Sequence, residues 1–515
     1  VGGIALGNSE IRDFALRARK GLMMQVAQMA EMLGVTRDGP EAGALAQVKN
    51  QSDLRAAYDA LVKAVRERGF DRVVEDVACT WFNRFTCLWY MEVNGYLPRG
   101  IPGLSGLERV PNCTGHQRHL LIHQCKLLSE MLPYLFEDRL GFEGLLMPDR
   151  LLGEGSVVRD MMDSIDRREF LENVQITGWL YQYFISPEKD RVYAALRRNK
   201  KTKKDDIAAA TQLFTPDWIV KYMVENSLGR LWLEAHTDDG LKSEWRYYSE
   251  WRYYLEEAGQ SDEVACRLKE AAAERKGLSP EEIKVLDPAM GSGHILAYAF
   301  DALYSIYLSA GYMEESIPAL ILENNLYGLD IDDRAAGLAC FALMMKGRSK
   351  DSGLFDKKVR PRLYWIRESG GLAIEDVISL VMPGRKGEDV HGCIRDLMLL
   401  LEAFRDAGEL GSVIKLPDMD LERLRKWWEG FGESIGTDTK AFTVHGRIKD
   451  LINQALVMQG KYNVVVTNPP YMGIRGMNES LAGYLNTHYK VSKHDLFTVF
   501  MDLARRMTMP GATWR

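Results

Sequence analysis

Asn468-Pro469-Pro470-Tyr471 is the stretch whose residue types folding alone explains least. The Asn468 side chain offers a carbonyl oxygen and an amide nitrogen. Two consecutive prolines leave the Pro469 carbonyl pointing outward with little freedom. Together the two oxygens can accept both hydrogens of an exocyclic amine, which holds the nitrogen lone pair toward an electrophile. Tyr471 adds an aromatic face on which a base can stack once it has left a duplex. This chemistry needs neither a nucleophile nor a metal. Asn and Pro are also ordinary turn residues, so a plain strand-ending turn competes with this reading.

A second group lies at Asp287-Pro288-Ala289-Met290-Gly291-Ser292-Gly293. Its glycines let a ligand approach the backbone closely. No Lys follows Gly293, so it is not a phosphate-cradling Walker loop, and Leu296 stands where a dinucleotide fingerprint needs its third glycine. Asp287 can receive an ammonium group. Further on, Asp330 ends an apolar run and can take both hydroxyls of a ribose, with Ile331 against an adenine ring. Asp332 reads as an exposed cap of the next helix. Glu368 is a weaker candidate for contact with the adenine.

These residues need strands that end where they begin. Ile283 to Leu286, Asn325 to Leu329, Arg362 to Ile366 and Val464 to Val466 are short β-branched or apolar runs; the first three are closed by a charged residue and the last must stop at Asn468, before two prolines. Ligands of open α/β sheets sit at that carboxyl end. Thr215 is placed as an N-cap, with Pro216 in the first helical position, and the helix terminus suits a carboxylate. Asp495-Leu496-Phe497 opens another helix, which Pro510-Gly511 is expected to end.

Residues 1–204 read as a helical domain and 205–515 as an α/β domain, with a charged helical insertion at about 370–455. Aromatic runs at Trp81–Met91 and Gly178–Phe184 have helical spacing and are assigned to the core rather than to base stacking. The basic run Arg197–Lys204 marks the boundary and reads first as a solvated, mobile loop, with a phosphate-contacting loop beside the active site as the alternative. Cys113, His116, His119, His123 and Cys125 match no standard zinc spacing, so no metal is assigned. Glu244–Tyr248 recurs as Glu250–Tyr254 and reads as a surface helix. The net charge of −6 excludes a strongly basic nucleic-acid binder without excluding a local basic face. Seven scattered cysteines suit a reducing cytoplasm, and no stretch suggests a membrane span.

The order of these motifs resembles that of the gamma-class adenine-N6 DNA methyltransferases, and beyond them the PglX family of BREX phage defence. Phe214-Thr215-Pro216 is similar to motif X, Asp287 through Pro288, Ala289, Gly291, Ser292 and Gly293 to motif I, and Asp330 to motif II. Asn468, Pro469, Pro470 and Tyr471 resemble motif IV, and Asp495-Leu496-Phe497 resembles motif V. Trp81–Pro98 and Ala210–Val220 resemble helical and linking segments of the PglX family. The resemblance implies a Rossmann-like core that binds S-adenosyl-L-methionine through Phe214, Thr215, Asp287, Pro288, Ala289, Gly291, Ser292, Gly293, Asp330 and Ile331, and methylates N6 of a flipped adenine in double-stranded DNA. It also implies partner proteins of phage defence. A DNA-binding or assembly subunit without turnover is the alternative from another class. Protein-glutamine and cytosine-N4 transfer remain further options, because Asn-Pro-Pro-Tyr alone does not settle the substrate.

The resemblance further implies seven strands in the order 3-2-1-4-5-7-6. After Pro510-Gly511 only four residues remain. The sheet is therefore expected to stop after its fourth strand, with the DNA-recognition domain absent. The valine strand would then be an exposed edge prone to aggregation, and the chain alone is expected to bind S-adenosyl-L-methionine weakly without methylating DNA.

Overall fold

The computed structural model describes residues 3–40, 52–109, 116–138, 141–149, 152–153, 155–171, 173–198, 200–213, 215–236, 251–381, 390–433, 435 and 438–514. Two compact units emerge: Val1–Glu188 with Cys340–Ser349, and Lys189–Ala339 with Lys350–Arg515.

The first unit is helical. Its helix Phe70–Val93 is buried along most of its length, since its aromatic and apolar residues cover every side. Asn94 and Gly95, the latter at φ 68°, end it. Trp81, Phe82 and Phe85 are core residues, so this aromatic run packs the interior. One charge lies among them. The Arg84 guanidinium donates to the carbonyls of Leu135 (3.0 Å) and Glu137 (2.7 Å) and pairs with the Glu143 carboxylate. A buried arginine is tolerable only when its donors are spent in this way.

The second unit is built on a parallel sheet. Its strands are β1 (Val285–Asp287), β2 (Leu326–Asp330), β3 (Arg362–Trp365), β4 (Tyr462–Val465) and β5 (Thr508–Trp514), in the order β3-β2-β1-β4-β5. β1 and β2 are buried at every position, as parallel strands covered on both faces must be. Leu286, Tyr327, Leu329 and Val465 join one apolar cluster with helices Val390–Ala403, Leu421–Gly432, Thr439–Gln459 and Leu496–Met507. The alternate residues Val285 and Val464 are also fully buried. Thr439–Gln459 leads directly into β4 and serves as the crossover helix that parallel strands require. Gly328 is needed where it stands: a Cβ there would lie 2.3 Å from the Met290 sulfur and 2.8 Å from Leu363.

The expectation of a sheet ending after four strands is corrected. Pro510-Gly511 does not terminate the chain's regular structure. The helix stops at Met507, and Thr508–Trp514 pairs parallel to β4, from Tyr462↔Thr508 to Val464↔Thr513 and Val465↔Trp514. Two steps along β4 match five along β5, so the intervening residues, Pro510 included, bulge out of the ladder. β4 therefore has a hydrogen-bonded neighbour on each side and is not an edge.

The duplicated segment is also corrected. Glu244–Tyr248 lies outside the described residues, but Trp251–Tyr254 is a turn, not a helix. Trp251 is buried, and a Cβ on Gly229 would strike its ring at 2.2 Å. Among the described residues no helix is long and apolar enough to cross a membrane, and no group of His, Cys, Asp and Glu could hold a metal ion. Cys113 lies outside those residues.

Candidate active site

The three chemical segments converge at the carboxyl ends of β1, β2 and β4. β1 ends at Asp287, and the turn Pro288–Gly293 delivers the chain into helix His294–Ser309. Gly291 (φ 53°) and Gly293 (φ 84°) hold the left-handed conformation that makes this turn possible. Gly293 also meets Ala339, whose Cα would lie 2.9 Å from an added Cβ, whereas a Cβ on Gly291 would face open space. The turn is thus packed at its helical end and open at its middle.

Asp330 governs the turn from the neighbouring strand. One carboxylate oxygen accepts from the Gly291 N–H and the other from the Asp332 N–H, both at 2.8 Å. Burial pushes the Asp330 carboxyl up to about 7, with the nearby Asp332 adding to the effect. Ile331 lies against Gly411, 3.8 Å from a Cβ built there. Asp332 caps helix Asp333–Lys350 through Arg334 N–H (3.0 Å) and Ala335 N–H (3.3 Å), as expected from its position. It is not exposed, however: only 4% of its surface is accessible, and it also accepts from Gln212 (2.8 Å).

Asp287 is 1% exposed. One oxygen accepts from the Ala289 N–H at 3.1 Å. The Thr467 hydroxyl lies near enough to favour the charged form, but no hydrogen bond of ordinary geometry reaches the second oxygen. Burial dominates and pushes this carboxyl up to about 7. A buried acceptor without a donor is the arrangement a ligand ammonium would satisfy. The sign of the pH effect follows. A carboxyl raised from 3.8 to about 7 stabilises the fold below the lower value and loses that contribution as pH rises toward 7. Asp287→Asn should therefore flatten the fall in melting temperature between about pH 4 and 7, read by thermal unfolding across that range.

β4 delivers the last segment. Val466 N–H donates to Leu286 O at 2.9 Å, which holds the two strand ends in register. Asn468 then projects from the rigid Pro469-Pro470 step. Its amide nitrogen donates to the Thr215 hydroxyl at 3.0 Å, and its carbonyl oxygen accepts from the Tyr471 hydroxyl at 3.1 Å. Tyr471 is half exposed and lies parallel to the Phe497 ring, centroids 6.2 Å apart.

Some expectations need correction. Thr215 does not cap the helix Asp217–Val224; Pro216 occupies the cap position and its carbonyl accepts from Val220 N–H at 3.1 Å. Phe214 lies outside the described residues. Glu368 pairs with Lys204 at 2.5 Å and accepts from the Gly408 N–H at 3.0 Å. Two supporting residues escaped the sequence reading. Ser412, from the inserted segment, donates to the Pro288 carbonyl, and Gln212 bonds Asp332. Their partners lie more than a hundred residues away, beyond the reach of any local pattern.

The basic run Arg197–Lys204 is fastened beside the Asn468 loop. Thr202 is buried; its N–H donates to Gly476 O (3.0 Å), its hydroxyl donates to the same oxygen, and Lys201 approaches Glu479 at 3.9 Å. Arg197, Arg198, Lys200, Lys201, Lys203 and Arg475 are exposed around it. The reading of this run as a mobile loop gives way to a pinned one.

Comparison with known proteins agrees with this geometry. Residues 324–513 match the family model of the Eco57I restriction-modification methylase. The chain is 36% identical to the adenine-specific methyltransferase BrxX of Escherichia coli O9:H4 (strain HS), over 97% of this chain and 45% of that protein. It is 32% identical to the adenine-specific methyltransferase PglX of Lacticaseibacillus casei (strain Zhang), with the same two coverages. Among solved structures, the ATP-dependent Type ISP restriction-modification enzyme LlaBIII bound to DNA aligns over 96% of this chain and 24% of that one, at 11% identity and a TM-score of 0.38. The chain spans about half the length of the curated relatives it matches. Over 97% of its length the chain is thus similar to the adenine-specific methyltransferases BrxX and PglX.

Proposed function

We propose that this chain binds S-adenosyl-L-methionine at the ends of β1 and β2 and transfers its methyl group to N6 of an adenine flipped out of double-stranded DNA. It would do so in the cytoplasm, as part of a BREX-type phage-defence system with partner proteins. The observation that carries the reading is the Asn468 carbonyl, held beside exposed Tyr471 at the end of β4, next to the Asp287 and Asp330 turns. Asp287 suits the cofactor's ammonium, Asp330 its ribose hydroxyls and Ile331 its adenine face. Phe214, Thr215 and the following helix terminus are assigned to its remaining end, and Pro288, Ala289, Gly291, Ser292 and Gly293 to the backbone wall. Bound there, the cofactor supplies an electrophilic methyl group.

The chain's own residues do the rest. Asn468 and the Pro469 carbonyl accept the two amine hydrogens, which sharpens the nitrogen lone pair and fixes its direction. The ring of Tyr471 receives the extruded base, which offsets part of the cost of unstacking. Residues 205–515 are taken to hold this chemistry, with 1–204 as a helical domain. The test is transfer of labelled methyl from S-adenosyl-L-methionine to unmethylated genomic DNA, mapped for N6-methyladenine. Cofactor binding without transfer would instead favour a DNA-binding or assembly role.

The pinned basic run supports DNA as the substrate. If it lies along phosphates, replacing Arg198, Lys200 and Lys203 by Gln should flatten the salt dependence of duplex binding. The slope of log affinity against log salt is expected to fall by roughly 0.9 for each phosphate no longer neutralised, measured by fluorescence anisotropy at several salt concentrations. An unchanged slope would remove the run from the DNA path.

A further inference from the structure

We infer that Val491 is an apolar wedge that enters the DNA duplex and fills the space a base leaves when it is extruded toward Asn468. The inference rests on the methyl-transfer reading above. An extruded base leaves a gap in the stack, and an apolar side chain set between base steps can hold such a gap open. A wedge of this kind has to be exposed, firmly held, near the catalytic loop and flanked by positive charge.

Val491 lies in the turn Lys490–His494, between helices Glu479–His488 and Leu496–Met507. It is 94% exposed, more than any other large apolar side chain among the described residues. A lone exposed apolar residue is ordinary; three further features set this one apart. The turn is braced. Lys493 N–H donates to Tyr489 O at 2.9 Å, and the Thr498 hydroxyl donates to Ser492 O at 2.6 Å. Tyr489 beneath it is buried, its hydroxyl donates to Val413 O at 2.8 Å, and the Lys415 ammonium and Arg506 guanidinium lie 4.3 and 5.7 Å from its ring centroid. The turn is also tied to the catalytic loop. Ile474 N–H donates to His494 O at 2.9 Å, Leu496 N–H donates to Met472 O at 3.0 Å, and Gly473 bridges Asp495. Val491 and Tyr471 each lie three residues from the Ile474–His494 bond. Finally, the turn is basic: Lys490 and His494 are exposed and Lys493 is half-buried. The same loop takes up the basic run through Gly476, with Lys200, Lys201 and Lys203 exposed. The carboxylates nearby are engaged, Asp495 with the Phe497 N–H at 2.9 Å and Glu479 with Lys201 at 3.9 Å. Cations around an apolar tip fit a phosphate backbone with stacked bases behind it.

The experiment compares Val491→Ala, which removes the wedge, with Val491→Leu, which keeps it. A side chain this exposed supports no packing, so both variants should fold and bind S-adenosyl-L-methionine within twofold of the unaltered chain, read by calorimetry. Single-turnover methyl transfer is measured on two duplexes that carry a site mapped in the labelled-methyl experiment. In one the target adenine is paired with thymine, and in the other it stands opposite cytosine. Val491→Ala is expected to slow transfer about tenfold on the paired duplex, in line with the loss of a buried apolar side chain. On the mispaired duplex, where extrusion is already easier, the loss should be less than about twofold. Val491→Leu should keep the rate on both. An unchanged rate for Val491→Ala on the paired duplex, or an equal loss on both, would overturn the inference. A second readout needs no turnover. A photoreactive p-benzoylphenylalanine placed at Val491 should cross-link to duplex DNA. The same group at Met313, 79% exposed beyond the carboxyl end of helix His294–Ser309, should not. No cross-link at position 491, or equal cross-linking at both positions, would also overturn the inference. Cross-linking at 491 by a chain that transfers no methyl group would uphold the contact and count against the transfer reading alone. Transfer without the cross-link would strike the wedge alone.

Discussion

Asn468→Ala should abolish methyl transfer while cofactor affinity stays within about twofold. The residue stands at the end of β4, and its two polar atoms face Thr215 and Tyr471. Neither lies on the glycine turn that is proposed to hold the cofactor. Removing one positioned polar group from a catalytic site costs on the order of a hundredfold or more in rate. Here the loss is compounded, because the Tyr471 hydroxyl would lose its acceptor and the ring its anchor. Calorimetry with S-adenosyl-L-methionine and a methylation assay on the same preparation measure the two halves. Activity near that of the unaltered chain would remove Asn468 from the transfer step.

Asp330→Ala should weaken cofactor binding by about 1.5–3 kcal/mol, the cost of losing charged hydrogen bonds at a buried site. The structure adds a second route to the same loss. Asp330 accepts from the Gly291 N–H, so its removal also loosens the turn against which the cofactor would lie. Asp332→Ala is the control. It removes the cap of helix Asp333–Lys350 and the bond to Gln212. That should lower stability by about 1 kcal/mol and leave affinity nearly unchanged. Parallel denaturation and calorimetry separate the two. Equal losses of affinity would mean that the ribose-binding role is misplaced.

The residues that end strands were legible because their chemistry is local. Two prolines cannot continue a ladder, and the turn after Asp287 needs glycine at positive φ. The strands ending at Asp287, Asp330, Trp365 and Val465 therefore fall within two residues of where the sequence placed them. The fifth strand failed the same local test. Pro510-Gly511 carries turn chemistry, yet β4 offers a free ladder, and an irregular register lets the chain rejoin it three residues late. Thr215 failed for a related reason. Local rules favour a Thr before Pro as a cap, and only the assembled sheet brings Asn468 to its hydroxyl. Glu368 looked available in sequence because Lys204 and Gly408, its partners, are distant along the chain. Side chains that take long-range partners carry no mark of it in the sequence around them.

The fifth strand also settles where the site can move. β4 is hydrogen-bonded along both sides, to Lys284 and Leu286 of the β1 segment and to β5. Strands held in this way open only when the whole domain does, and their amides exchange with solvent last. The backbone that leads into Asn468 is thus the stiffest part of the site. Beyond Pro470 the chain is tied by backbone bonds from Ile474 N–H to His494 O, Leu496 N–H to Met472 O and Thr202 N–H to Gly476 O. On the proposed reading, a base would meet an asparagine carried by that stiff strand, with the basic run pinned beside it.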